Sequence, residues 1–180
     1  MSFMGWDLLH TGTLNIDWAV VTSIAALTIA IGAILVVIIE NRREKLIFGL
    51  KVLLEVNDYF HSGTMLETRQ KAAASLLNDS YDDNVENLLD FFEMVGYLSK
   101  RRAIKKQLVW SSISYWIILY WYAAKVYIEK EQQKIPRRWE NMNSLFRYLS
   151  KMERKKYGIT IITQESIKSF LAKESGSLNK

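Results

Sequence analysis

The 180-residue chain has no cysteine. Disulfides, thiolate metal sites and cysteine nucleophiles are excluded at once. Proline occurs once, at Pro136, and glycine only eight times. So few chain-breaking residues point to long helices rather than a turn-rich β architecture. The two histidines, His10 and His61, are distant in sequence, and His61 reads as a solvated polar residue near a helix end. No glycine-rich phosphate loop, serine-centred nucleophile elbow or zinc-binding helix motif occurs. No residue is assigned a catalytic or metal-binding role, no cofactor is implied, and a non-enzymatic protein is expected. Internal repeats and low-complexity stretches are missing too.

Charge is absent from one long segment. Residues 19–39 are apolar, without proline, and are bounded by Asp17 and Glu40. As a helix the segment would rise about 30 Å, the thickness of a bilayer's hydrocarbon core. Residues 1–18 contain no lysine or arginine, whereas Arg42, Arg43 and Lys45 follow the run. A signal peptide would show the reverse pattern and a shorter apolar core. The positive-inside rule puts the short N-terminus outside and the bulk of the chain in the cytoplasm, with Trp18 at the outer boundary. Within the run, Ala19, Ser23, Ala26, Ala30 and Ala33 recur at spacings of four and three, beside a stripe of Thr22, Ala25, Ile29 and Gly32. Small residues on one face let helices approach closely in lipid, so this seam is the expected self-association surface. Thr22, Ser23 and Thr28 would be the polar lining if several copies enclosed a pore.

The remaining chain is read as all-α: the transmembrane helix continues into a stalk, then a compact cytoplasmic helical bundle follows. The expected divisions are an extracytoplasmic N-terminus at 1–18, a transmembrane helix at 19–39, a stalk at 40–63, a helical domain at 64–174 and a flexible tail at 175–180. Gly49 is expected to weaken the stalk slightly, and Gly63 to end it. Thr64 with Glu67 forms a capping box for a helix ending near Asn78, and Asp82 or Asp83 caps the next, which runs to about Ser99. That helix carries Val85, Leu88, Leu89, Phe92, Val95 and Leu98 on one face. The acids Glu86, Asp90 and Glu93 occupy another, expected to be solvated or paired with nearby cations. Residues 108–124 are uncharged but hold Trp110, Tyr115, Trp116, Tyr120, Trp121 and Tyr122 with three serines. Side chains that need hydrogen-bond partners suit a buried central helix better than a second span. This helix is expected to continue to about Lys134. Pro136 is expected to open another, with a strongly basic polar side. An extended segment at 158–163 and a short helix at 164–173 complete the reading.

The net charge is +5, which points to an anionic partner. Arg101, Arg102, Lys105, Arg137, Arg138 and Trp139 interleave cations with an aromatic ring, a combination that can grip phosphates and stack a base. They are the candidate ligand-binding residues.

Two stretches, NVENLLDFFEMVGYL at 84–98 and the aromatic helix around Tyr115, Trp116 and Trp121 followed by Arg138, Trp139, Glu140 and Asn141, resemble an uncharacterised cytoplasmic helical domain of small bacterial single-pass proteins. In architecture the chain also resembles the membrane effectors of type III CRISPR defence. That resemblance implies a bacterial inner-membrane sensor-effector of antiphage defence that binds cyclic tetra-adenylate, assembles as a homo-oligomer, most simply a tetramer, and perturbs the membrane lipid. No DNA partner is implied. The alternative is a membrane scaffold or adaptor that recruits a protein partner.

Overall fold

The structure, a computed structural model, describes residues 18–158 and 162–176. The expected extracytoplasmic segment up to residue 17, the centre of the expected extended segment and the last four residues lie outside them. Among the described residues there are seven helices and no strand. They are α1 (Trp18–His61), α2 (Gly63–Leu77), α3 (Asp83–Lys100), α4 (Lys106–Ala123), α5 (Lys125–Lys134), α6 (Glu140–Tyr157) and α7 (Gln164–Glu174). The chain divides into two compact units between Arg43 and Glu44.

The first unit is the upper part of α1, whose most apolar stretch has a mean hydropathy of 2.6 and buries nothing against the rest of the chain. Among the described residues it is the one helix long and apolar enough to cross a membrane. Its hydroxyls turn back on their own helix. Ser23 Oγ donates to the Ala19 carbonyl at 2.7 Å, Thr22 to Trp18 at 2.9 Å and Thr28 to Ile24 at 2.8 Å. Such bonds satisfy polar groups inside an apolar surrounding.

The second unit is a bundle. α3 packs chiefly on α6 and α2, α2 on α7, and α4 on α6. α4 is the central helix: Val109, Ile113, Ile117 and Tyr120 are fully buried, as its aromatic and serine content implies. The lower part of α1 joins this core through Val56 and Phe60. Gly49 is buried there because an α3–α4 turn lies on it; a Cβ at that position would stand 3.0 Å from the Ala103 carbonyl oxygen. Its role is close approach, not a weak point in a free stalk.

Several boundaries differ from the sequence reading. Ser62, with extended backbone, caps α2 by accepting from Met65 N at 3.3 Å, so Thr64 and Gly63 are already helical. The long aromatic helix breaks at Ala124 into α4 and α5. Residues 136–139 form turns, so α6 begins four residues after the proline. Of the two expected caps, Asp83 lies in the first turn of α3, and Asp82 caps the helix, accepting from Asn84 N and Val85 N, both at 3.1 Å. Burial pushes its carboxyl upward, but hydrogen bonds from Asn84, Val85 and Ser75 outweigh this and hold it below the usual aspartate range.

Candidate functional site

Glu86, Asp90 and Glu93 of α3 organise a face that holds two of the six expected ligand residues, Arg138 and Trp139. Tyr127 donates its hydroxyl to Glu86, and Arg138 bridges Glu86 Oε2 and Glu131 Oε2, each at 2.7 Å. Lys134 also pairs with Glu131 at 2.7 Å and, joined by Arg138, holds that carboxyl below the ordinary glutamate range. One turn further on, Asp90 Oδ1 accepts the Trp139 indole N–H at 2.7 Å. One turn beyond that, Glu93 accepts three bonds: Asn141 N at 3.2 Å, Asn141 Nδ2 at 2.6 Å and Met142 N at 2.7 Å.

Glu93 therefore does for α6 what a capping side chain would do. The N-cap position of α6 is Trp139, whose side chain caps nothing. The carboxylate of α3 takes up the orphan N–H groups of the first turn and adds a favourable charge at a helix N-terminus. Trp139 has φ of +54°, a left-handed backbone that costs a bulky residue about 1–2 kcal/mol. Burial of the indole to 2% exposure, its bond to Asp90 and the Arg138 guanidinium 4.4 Å above its ring offset that strain. α3 and α6 meet closely at Gly96, which is buried.

The six expected ligand residues are thus not equivalent. Arg138 is held between two carboxylates, and Trp139 is a core side chain. The expectation that Trp139 stacks a base fails, because its ring is enclosed by its own chain. Arg137 is exposed and lies 3.6 Å from Glu140, which also faces Lys100 at 3.7 Å. Arg101 is the C-cap of α3, with Nε donating to the Tyr97 hydroxyl at 3.2 Å. Arg102, with φ of +61°, and Lys105 occupy the α3–α4 turn, both exposed. No hydrogen bond, ion pair or ring contact joins that turn to Arg138 or Trp139 among the described residues. The seam residues Ala19, Ser23, Ala26, Ala30 and Ala33 are all exposed on α1.

A second polar centre was not foreseen. Arg69 of α2 is buried and pairs with Glu174 of α7 at 2.6 Å, its guanidinium 4.2 Å over the Phe60 ring. Glu174 also accepts from Trp116 Nε1 and the Tyr120 hydroxyl, each at 3.2 Å. Burial, then the Glu174 charge, pushes the Tyr120 phenol far above its ordinary range. A lone arginine on the small-residue stretch of α2 was the available signal; its partner lies 105 residues away.

The described residues of the bundle also form concavities. One, about 320 Å³, lies among α4, α6 and the region before α7, lined by Tyr115, Tyr122, Ser150, Glu153 and Arg154. Another is a groove of about 780 Å³ among α1, α2 and α3, with Val52, Val56, Met65, Phe91, Met94 and Leu98 forming its apolar surface and Glu55 and Asp90 among its polar residues. No group of three or more histidine or acidic side chains suited to a metal ion exists among the described residues.

A family model described as a domain of unknown function (DUF4760) matches residues 21–155. The chain belongs to this family. No curated protein and no solved structure matches the chain. The DUF4760 match takes in the apolar run from residue 21 onward, the α3–α6 polar strut and Arg69, and stops before α7, which carries Glu174.

Proposed function

We propose that this DUF4760 protein is a non-enzymatic scaffold of the bacterial inner membrane, anchored by residues 19–39 with its N-terminus outside and its bundle in the cytoplasm. The absence of lysine and arginine from residues 1–18, against Arg42, Arg43 and Lys45 after the run, supports that orientation. Copies associate through the small-residue seam of α1. The bundle receives an amphipathic helix of a protein partner in the α1–α2–α3 groove.

The observation that carries this reading is the groove itself. Its apolar surface includes two methionines, Met65 and Met94, which adapt to varied side chains, beside Val52, Val56, Phe91 and Leu98. Glu55 suits a helix with an apolar stripe flanked by lysine or arginine. The sensor reading, in which cyclic oligoadenylate binds the six basic and aromatic residues, is less well supported. Two of the six, Arg138 and Trp139, are engaged within the chain.

The test uses the full chain in its own membrane with a photo-crosslinking residue in place of Met94 or of Tyr59, which also lines the groove. The scaffold reading expects one and the same protein adduct from both positions, abolished by Val56→Glu in a variant that still melts cooperatively. Absence of a shared adduct, together with saturable micromolar binding of cyclic tetra-adenylate, would overturn it in favour of the sensor-effector.

A further inference from the structure

The α3–α4 turn is the most concentrated charge on the bundle. Lys100, Arg101, Arg102, Lys105 and Lys106 fall within seven residues, and no aspartate or glutamate occurs between Glu93 and Glu129. Lys100 faces Glu140, but only at 3.7 Å and with both side chains more than half exposed. Arg101 and Lys106 lie over the Tyr97 and Tyr148 rings, contacts that leave their charges uncompensated. Arg102 and Lys105 point no charge at an acid among the described residues.

The turn is also fixed in place. Ile104 is fully buried, Ala103 N donates to the Leu98 carbonyl at 3.0 Å, and the Ala103 carbonyl rests on Gly49 of α1. Gly49 is ten residues beyond Ile39, the last residue of the apolar run. At the rise of an α-helix ten residues are about 15 Å along the chain, a short tether between the run and the helix segment on which the turn rests. The headgroup layer fills roughly the first 5–8 Å of that interval. Lysine and arginine side chains reach several ångströms further, and charges interact across a Debye length of about 8–10 Å. Arg42, Arg43 and Lys45 occupy the same interval on α1, against Glu40 and Glu44.

We propose that the α3–α4 turn is a second membrane contact, binding the anionic headgroups of the leaflet from which α1 emerges. α1 supplies the anchor and the turn supplies a lateral electrostatic hold that limits how the bundle pivots on it. Arg101, Arg102 and Lys105 thus serve lipid phosphates rather than a free nucleotide. The inference rests on α1 as a membrane span but not on the protein partner.

Because the chain has no cysteine, a single label can be placed by Gln107→Cys, an exposed position in the first turn of α4. The labelled full chain is reconstituted in nanodiscs of phosphatidylcholine alone or mixed with phosphatidylglycerol, each carrying a headgroup spin-label quencher. Quenching is expected to rise roughly twofold or more with phosphatidylglycerol, each cation being drawn to an anionic surface. The rise should vanish in the Arg101→Gln/Arg102→Gln/Lys105→Gln variant, its fold checked by melting. It should also vanish at about 1 M salt, where the Debye length falls to about 3 Å. Equal quenching in both lipids, or an undiminished rise in the variant, would overturn the proposal. Failure of the chain to enter nanodiscs at all would instead refute α1 as a span.

Discussion

Replacing Gly96 with alanine should pry α3 from α6. A Cβ there would stand 2.5 Å from the Asn141 carbonyl carbon and oxygen and 2.8 Å from Met142 N. These are backbone atoms, so no side chain can swing aside, and the helices must separate by about 1 Å to restore ordinary contact. The Glu93 bonds to Asn141 N and Met142 N, now 3.2 and 2.7 Å, would stretch beyond useful range. Overpacking costs about 1–3 kcal/mol, and weakened bonds to a charged acceptor add about 1–2 kcal/mol. Alanine's better helix propensity returns about 1 kcal/mol. The net loss of about 1–4 kcal/mol corresponds to a fall in Tm of roughly 3–15 °C for a bundle of this size. Thermal melting of the full chain in detergent, followed by tryptophan fluorescence, measures it. Gly63→Ala is the control, since a Cβ there meets nothing within 4 Å. An unchanged or raised Tm for Gly96→Ala, or an equal fall in the control, would refute the reasoning.

Glu93→Ala should cost about 2–3 kcal/mol by uncapping α6, with faster hydrogen exchange at the Asn141 and Met142 amides as its signature. Asp82→Ala should cost about 1 kcal/mol at neutral pH. Because the folded pKa of Asp82 is depressed, its stabilisation is present above about pH 4 and is lost as pH falls through the lower folded value. Acid titration of the variant should therefore be flatter in that window. Arg69→Ala should cost about 3–5 kcal/mol by stranding Glu174, whereas Arg69→Met with Glu174→Leu should recover most of the loss, as a melting series would show.

What the sequence revealed and what it hid follow from the range of the interactions. Asp82 was legible because its acceptors are two and three residues away. The burial of α4 was legible because its own tyrosines, tryptophans and serines demand partners that lipid does not supply. The start of α6 was not, because its capping carboxylate belongs to α3, 48 residues before Asn141. Pro136 gave a local signal that this distant contact overrode. The break at Ala124 carries no glycine or proline, and the place of Gly49 depends on a turn more than fifty residues later. The ligand residues suffered most. Arg138 and Trp139 have the composition of a phosphate and base platform, yet the acids of α3 facing them convert both into an internal strut.

That strut is the centre of the account, and Trp139 reports on it directly. The six indole N–H groups can be followed by nitrogen-15 tryptophan labelling, with Trp139→Phe assigning the signal. The account predicts that the Trp139 indole exchanges slowly with solvent, that Asp90→Asn shifts it, and that cyclic tetra-adenylate does not. Rapid exchange, or a saturable shift on adding that nucleotide, would contradict it.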